Sequence, residues 1–416
     1  MSGPLHPVRD LGSRAFVAER TQALMRTLQS FRSSVMEGWF DDMSATIDHG
    51  SSSESGNSRF GIILSSAVRG LAVGNYPDMV RTAREAETLG FESIWLCDHF
   101  LTLSPEDYVQ EVGIGGDSSG RQQASHRNGH SIPQLECWTA LAALSRDTER
   151  IRLGTNVLCN SYRYPSVLAK MAATLDVISA GRVELGLGAG WFRQEFDAYG
   201  IPFPPTGDRV SALAESLQLI RHIWVDESPA FHGEYYAIDG AVCDPTPVQR
   251  PHPPLWVGGE GDRVHRIAAR YADGINVRWW SPTRCADRRD FLDRACEKAG
   301  REPAALRLAL TALLAPVAHP ESQQRIRTRF RSIPADGLII GSPEKCAARI
   351  REYENAGIRD FLFFVPDVAD TEYLTVAGEE VIRYFGDSSS RNDAVGARGD
   401  EPNSQAGREQ RDDLPQ

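Results

Sequence analysis

The chain has 416 residues, enough for one large domain or two small ones, and a formal net charge of −11. This charge argues against nucleic acid as the main partner, because phosphate binding needs a basic surface. The seven cysteines are never spaced as CxxC, which argues against a zinc site and a disulfide framework. No metal is expected, and a reducing cytoplasm is the compartment that fits best.

The two ends of the chain differ in composition from its middle. Residues 1–58 form an N-terminal extension that finishes in a polar linker, Ser51–Ser58, which cannot bury a core. Residues 386–416 are rich in Ser, Asp, Arg, Gly and Gln, and we expect a disordered tail there. The N-terminus lacks the apolar core of a secretory signal, and no apolar run approaches the roughly 18 residues of a membrane span. We expect no membrane contact and one domain over residues 59–385.

Strand patterns alternate with helix patterns along this middle part. The strands are predicted at Phe60–Ser65, Glu92–Cys97, Ile151–Val157, Val183–Leu187, Leu255–Val257, Gly274–Val277, Leu306–Leu314 and Asp360–Val365. The clearest helix patterns are Tyr76–Leu89, Gln134–Arg146, the segment from Pro165 to Gly181, Arg209–Trp224 and Asp262–Tyr271. This order predicts an α/β fold, a (β/α)8 TIM barrel with insertions. A doubly wound open sheet is the alternative, but no GxGxxG follows the first strand.

Glycines follow two of the predicted strands. Gly186, Gly188 and Gly190 lie at the end of the fourth strand, where glycine lets a flat ring or a phosphate approach the backbone. The segment Gly258–Gly261 lies between the fifth strand and a helix, where free N–H groups and the positive helix end would suit a phosphate. The alternative at both places is glycine that serves only a tight or flexible turn.

Asp98 and His99 end the second strand, so their side chains should reach the mouth of the barrel, where this fold carries its chemistry. A histidine titrates near neutrality and can donate or accept a proton beside a bound ring. The alternative is a histidine that is hydrogen-bonded to a neighbouring loop.

Several segments together resemble the bacterial luciferase-like superfamily, and within it most closely the coenzyme F420-dependent oxidoreductases. They are DHF (98–100), GTNVL (154–158), SYRYP (161–165), GRVELGLGAGW (181–191), GGEG (258–261) with ARYADG (269–274), and GSPEKCAARIREYENAGIRDF (341–361). The resemblance covers nearly the whole predicted barrel. It implies coenzyme F420 as the cofactor and hydride transfer to or from a small organic substrate.

The resemblance also implies roles for individual residues. Asp98 corresponds to an aspartate near the deazaflavin, and His99 to a proton donor or transition-state stabiliser. Asn156 and Val157 correspond to a strand bulge with a non-proline cis peptide that presses on the central ring. The remaining cofactor positions are Cys159, Ala189, Gly190 and Gln194 around the cofactor, and Gly258, Gly259 and Gly261 at its phosphate. For Cys159, a small buried residue is the alternative.

This chain departs from the sugar-phosphate dehydrogenases of the family at its expected substrate site. Those enzymes have an acid directly after the glycines of the fourth strand, where this chain has Trp191. They also hold the substrate phosphate with lysines, whereas Lys298 and Lys345 lie in helical patterns. The position after the sixth strand is Arg278, followed by Trp279 and a second tryptophan. This set suits a planar or carboxylate-bearing molecule, or else a solvated arginine beside two packing tryptophans.

Two other functions stay open from the sequence. The first is an FMN-dependent monooxygenase of the same fold, which would use O2 and reduced flavin from a partner flavin reductase. The second is a barrel that binds a flavin without turnover, because fold does not imply function. We further expect a homodimer that acts on a small molecule.

Overall fold

The computed structural model describes residues 58–65, 71, 73–102, 133–367 and 372–386. The expected N-terminal extension up to residue 57 and the expected tail after residue 386 lie outside the described residues. No helix within these described ranges is both long enough and apolar enough to cross a bilayer.

Eight parallel strands close into a barrel, which confirms the predicted (β/α)8 fold. The strands of the described residues are β1 (Arg59–Ile63), β2 (Ser93–Leu96), β3 (Arg152–Thr155), β4 (Leu158–Cys159), β5 (Val183–Gly188), β6 (Ala230–His232), β7 (Ala237–Asp239), β8 (Leu255–Gly258), β9 (Gly274–Arg278), β10 (Arg307–Pro316), β11 (Leu338–Gly341) and β12 (Asp360–Phe364). The ring runs β1-β2-β3-β5-β8-β9-β10-β12 and closes where β12 pairs with β1. Because the ring is closed, the open doubly wound sheet is ruled out.

Helices follow the strands on the outside of the ring. They are α1 (Tyr76–Thr88), α2 (Cys137–Asp147), α3 (Pro165–Ile178), α4 (Arg193–Tyr199), α5 (Thr206–Val225), α6 (Asp262–Tyr271), α7 (Pro282–Lys298), α8 (Pro320–Arg329), α9 (Pro343–Asn355), α10 (Glu372–Val376) and α11 (Arg383–Gly386). Proline opens α3, α7, α8 and α9, where its fixed φ suits a first helical turn. Gly181 follows α3 with a φ of 82°, as the sequence predicted.

The sequence did not predict the short elements outside the ring. The strands β6 and β7 form a hairpin of three residues each, too short for an alternating pattern to be recognised. The two-residue β4 pairs with β5, and β11 pairs with the carboxyl end of β10. Because of the pairing with β11, β10 extends to Pro316, two residues beyond the predicted strand end.

Buried charges hold the amino ends of the barrel strands together. The Glu184 carboxylate accepts from Arg152 Nε at 2.5 Å and from the Trp256 indole at 2.6 Å, and its side chain is only 4% exposed. The Arg307 guanidinium lies 3.8 Å from the same carboxylate. Burial raises the pKa of Glu184, but the two arginines outweigh burial and the pKa is lowered overall. The charged carboxylate is therefore part of the folded barrel.

We predict that Glu184→Gln lowers the free energy of unfolding by about 3 kcal/mol, because it removes the buried carboxylate that pairs with Arg152 and one of the two carboxylates beside Arg307, the other being Asp360. Urea denaturation followed by circular dichroism measures this change. Glu149→Gln is the control, since that carboxylate is 84% exposed and lies 3.8 Å from Arg150; a surface pair contributes at most about 1 kcal/mol. Equal effects of the two substitutions would contradict the structural role of Glu184.

Candidate active site

A cavity of about 620 Å³ opens at the carboxyl ends of the barrel strands. The predicted site residues that line it are Asp98, His99, Asn156, Val157, Cys159, Ala189, Gly190, Trp191, Gly258, Gly259, Arg278 and Trp279. Gln194 and Gly261 are not among its lining residues; Gln194 belongs to α4, and Gly261 is the residue before α6. The cavity has the size of a small-molecule or cofactor site.

His99 is held by a buried carboxylate that the sequence did not single out. Its Nδ1 lies 3.2 Å and 3.1 Å from the two carboxylate oxygens of Glu195, which is only 1% exposed. The His99 ring also packs edge-on against Trp191, with the ring centroids 5.5 Å apart. The Glu195 contact places a proton on Nδ1 and leaves Nε2 as the nitrogen that can exchange a proton with a bound molecule.

Glu195 joins three segments of the cavity wall. Its Oε1 accepts from the backbone N–H groups of Phe100 and Leu101 at 2.6 Å and 3.0 Å, and its Oε2 accepts from the Tyr162 hydroxyl at 2.9 Å. Burial raises the pKa of Glu195, but the contact with His99 and the backbone donors outweigh burial and lower it overall. Glu195 therefore stays a carboxylate beside His99.

The Asp98 carboxylate is engaged on both oxygens. Arg163 donates to Oδ2 at 2.7 Å and to Oδ1 at 3.0 Å, and the backbone N–H of Cys159 donates to Oδ2 at 3.0 Å. Burial lowers the pKa of Arg163, but its hydrogen bonds and charge interactions with Asp98 and then Glu136 outweigh burial and raise it. Asp98 thus fixes the end of β4 beside the cavity, a contact that the sequence did not reveal.

The side chain of Val157 lies between the glycines of two neighbouring strands. The Asn156–Val157 peptide bond is cis, which confirms the prediction for this bulge. A Cβ on Gly188 would come within 2.7 Å of Val157 Cγ2, and a Cβ on Gly258 within 2.8 Å of the same atom. The sequence offered ligand approach or a tight turn as the reason for these glycines, but the structure shows that they make room for Val157.

Three polar side chains cross the floor of the cavity. Asn156 Nδ2 donates to Thr311 Oγ1 at 3.3 Å, and the Thr311 hydroxyl donates to Asn276 Oδ1 at 2.9 Å. Within the described part of the chain, the buried Nδ2 of Asn276 has no hydrogen-bond acceptor. The cavity therefore presents an amide donor that a ligand acceptor could satisfy. Neither Thr311 nor Asn276 could be recognised from the sequence, because each lies inside an apolar strand pattern.

The tryptophans after β9 are buried rather than solvent-facing. Trp279, with a φ of 60°, stacks on Phe364 with the ring centroids 5.8 Å apart. Trp280 is 1% exposed and packs beside His265. Arg278 lines the cavity, and its Nε lies 3.5 Å from Oε1 of Glu260. This arginine belongs to an ion pair at the cavity wall, while the two indoles pack against other side chains.

Two cysteine thiols line the cavity. Burial raises the pKa of the Cys97 and Cys159 thiols to about 12, so both stay protonated near neutral pH. Across the ranges that the structure describes, no three His, Cys, Asp or Glu side chains are grouped to hold a metal ion.

A closed parallel barrel with a cavity of mixed polar and apolar lining at the carboxyl ends of its strands defines the (β/α)8 class of ligand-binding and catalytic proteins. Residues 58–336 match the model of the luciferase-like monooxygenase family. This match covers more than half of the chain, and the chain therefore belongs to the luciferase-like family.

The relatives divide between two cofactors. The chain is 30% identical over 328 residues to an F420-dependent glucose-6-phosphate dehydrogenase of Microbacterium testaceum (strain StLB037), a match that covers 71% of this chain and 90% of the relative. Among solved structures, an F420-dependent secondary alcohol dehydrogenase in complex with an F420-acetone adduct matches with a TM-score of 0.61 and 20% identity, over 78% of this chain and 98% of that one. A second solved structure is the oxygenating constituent of 3,6-diketocamphane monooxygenase of Pseudomonas putida, in complex with FMN. It matches with a TM-score of 0.59 and 17% identity, over 79% of this chain and 99% of that one. At these identities the two structures show the shared fold.

One histidine beside the cavity should make folding sensitive to acid. His265 is fully buried in α6, and its Nε2 donates to the Gly259 carbonyl at 3.0 Å. Burial lowers the pKa of His265 from 6.5 to about 4. Between these two pH values the unfolded chain binds a proton at His265 that the folded chain excludes. The contribution of His265 to the free energy of unfolding is therefore complete above pH 6.5 and is lost as the pH falls towards 4.

We therefore predict that the free energy of unfolding of the natural protein falls relative to that of His265→Gln between pH 6.5 and 4.5. The slope of the difference should approach about 1.4 kcal/mol per pH unit, the value for one proton. Glutamine retains an N–H donor for Gly259 but does not titrate. Urea denaturation at a series of pH values gives both curves, and parallel curves would contradict the burial of a neutral His265.

Proposed function

We propose that this chain is a coenzyme F420-dependent oxidoreductase that transfers a hydride between the deazaflavin and a small organic substrate. The observation that carries the proposal is the His99–Glu195 pair, which lies in the wall of the 620 Å³ cavity at the carboxyl end of the barrel. Membership of the luciferase-like family and the F420-dependent relative of Microbacterium testaceum support the choice of cofactor.

The cavity residues fit such a cofactor. Val157 presents an apolar surface at the centre, and the Asn276 amide offers a buried donor. The backbone of Gly258 and Gly259 lines the wall directly before the amino end of α6, which suits a phosphate group. When bound, the deazaflavin supplies or takes up the hydride, while the protein provides orientation and a proton.

His99 is proposed as the proton-transfer group. Glu195 fixes the Nδ1 proton, so Nε2 is the atom that would give a proton to a substrate oxygen or take one from it. The Tyr162 hydroxyl and two backbone N–H groups hold the Glu195 carboxylate, and through it they set the orientation of the imidazole. Trp191 packs on the same ring and would keep bulk water away from it.

We propose a substrate other than a phosphosugar, although one relative is a glucose-6-phosphate dehydrogenase. Neither Lys298 nor Lys345 lines the cavity. By the family resemblance, Trp191 stands where the sugar-phosphate dehydrogenases have an acid. Trp191, Trp279 and Phe364 line the cavity and give it aromatic surface. These residues favour a planar organic molecule, and Arg278 adds the capacity to hold a carboxylate.

An FMN-dependent monooxygenase is the second candidate. It is supported by the family description and by the FMN complex among the structures of the same fold. This function would require O2 and a partner that supplies reduced flavin.

We predict that coenzyme F420 binds at least about 10-fold more tightly than FMN, a difference of about 1.4 kcal/mol in binding free energy. Quenching of cofactor fluorescence by the purified protein measures both dissociation constants under one set of conditions. Gly261→Ala is expected to keep the affinity, since nothing lies within 4 Å of the added Cβ, whereas Gly258→Ala should weaken it by displacing Val157. Tighter binding of FMN would favour the monooxygenase.

We predict that His99→Ala lowers kcat by about 10²- to 10⁴-fold and changes cofactor affinity far less, because a general acid or base acts on the reacting atoms. A substrate is first found by screening alcohols, aldehydes and ring carboxylates for a change in F420 absorbance.

Glu195→Gln should retain more activity than Glu195→Ala, because the amide oxygen can still accept a hydrogen bond from Nδ1 of His99. His222→Ala, at an exposed histidine paired with Asp226, is the control. Full activity of His99→Ala would show that His99 is structural.

A further inference from the structure

The segment Gly258–Gly261 contains a negative charge where the proposed function expects a phosphate. Glu260 is the third residue of this segment and lines the cavity. A carboxylate repels a phosphate or carboxylate on a ligand, so Glu260 conflicts with the glycines and the helix end on either side of it. This conflict implies that positively charged side chains near Glu260 compensate its charge.

Two arginines supply that partner. Glu260 Oε1 lies 3.5 Å from Arg278 Nε, and its Oε2 lies 3.5 Å from the Arg284 guanidinium. All three residues line the cavity, and the Glu260 side chain remains 38% exposed. These distances are long for charge-assisted hydrogen bonds, so the carboxylate bridges the arginines loosely. The three side chains carry one more positive than negative charge.

The position of Arg284 increases this positive potential. Arg284 lies in the first turn of α7, where the helix dipole disfavours a cation. Its guanidinium lies over the Trp280 ring, 4.0 Å from the centroid, which fixes it beside the cavity. The amino end of α6 also begins next to Glu260. Two arginines and the amino ends of two helices therefore lie near the loosely held Glu260 carboxylate.

We propose that Arg278 and Arg284 form a recognition site for an anionic group of the ligand, and that Glu260 is an internal counterion which this group displaces. Glu260 thereby sets how strongly the site favours anions, because it partly neutralises the two arginines in the free protein and competes with the incoming group. The proposal rests on the proposed function in assigning the cavity to a cofactor and a substrate. The group is a phosphate or a carboxylate, and it belongs either to the cofactor or to the substrate.

Neighbouring residues provide matched controls. Asp262 lies two residues after Glu260 and pairs with Arg288 at 2.6 Å, and neither of these residues lines the cavity. Glu260→Gln and Asp262→Asn each remove one negative charge, from the residues just before α6 and from its first residue. Arg288→Gln and Arg284→Gln each remove one positive charge from the first two turns of α7. Only the substitutions at residues 260 and 284 should alter anion recognition at the cavity.

The test measures binding of two pairs of ligands to each variant. FMN and riboflavin differ by a phosphate alone, whereas F420 and its phosphate-free deazaflavin chromophore differ by the whole phosphate-bearing side chain. If the anion belongs to the cofactor, Glu260→Gln should tighten binding of the phosphate-bearing member about 5- to 10-fold, and Arg284→Gln should weaken it by a similar factor. The phosphate-free members should be unaffected, and both effects should shrink in about 1 M salt.

If the anion belongs to the substrate, all four ligands should bind the variants as they bind the natural protein. Glu260→Gln should then tighten, and Arg284→Gln weaken, inhibition or binding by benzoate, used as a carboxylate probe. Thermal melting checks that each variant is folded. Equal behaviour of Glu260→Gln and Asp262→Asn with every probe would overturn the proposal. Failure of F420 to bind would instead count against the proposed cofactor, while the flavin pair and benzoate would still test the arginines.

Discussion

The packing of Val157 between Gly188 and Gly258 is the constraint on which the site depends. Any larger residue at either glycine would place a Cβ within 2.8 Å of the valine side chain. Because these glycines end β5 and β8, the valine fixes the spacing of the strands that carry Ala189–Phe192 on one side and Gly259–Glu260 on the other. The cavity floor is thus set by steric fit, and the polar groups are arranged around it.

Buried charges at the two ends of the barrel have different roles. At the amino ends of the strands, Glu184 is enclosed by arginines and an indole, and the result is a stable closed ring. At the carboxyl ends, Asp98 is likewise satisfied by Arg163, whereas Glu195 is paired with a histidine that lines the cavity. The same rule, that a buried charge needs a partner, gives stability at one end and an oriented histidine in the cavity wall at the other.

The sequence predicted where the site lies in the fold better than it predicted which side chains contact each other within the site. His99, Asn156 and Gly258 could be placed because each follows a predicted strand, and parallel strands bring their carboxyl ends together. Glu195 was missed, although the neighbouring Gln194 was named, because a glutamate in a short helix gives no sign of burial. Asn276 and Thr311 were missed because a single polar residue inside a strand pattern does not show which way it faces.

The sequence by itself determined the fold class and the family, because the alternation of strands and helices is local and the motifs at the strand ends are contiguous. Through the family resemblance it also predicts that Trp191 and Arg278 stand at substrate-site positions of the sugar-phosphate dehydrogenases, and this stays a prediction. Only the tertiary structure decided which residues pair: His99 with Glu195 across 96 positions, Asp98 with Arg163 across 65, and Glu260 with Arg278 across 18. These pairings depend on the distances between strand ends. Closure of the barrel fixes those distances, and no local sequence pattern encodes them.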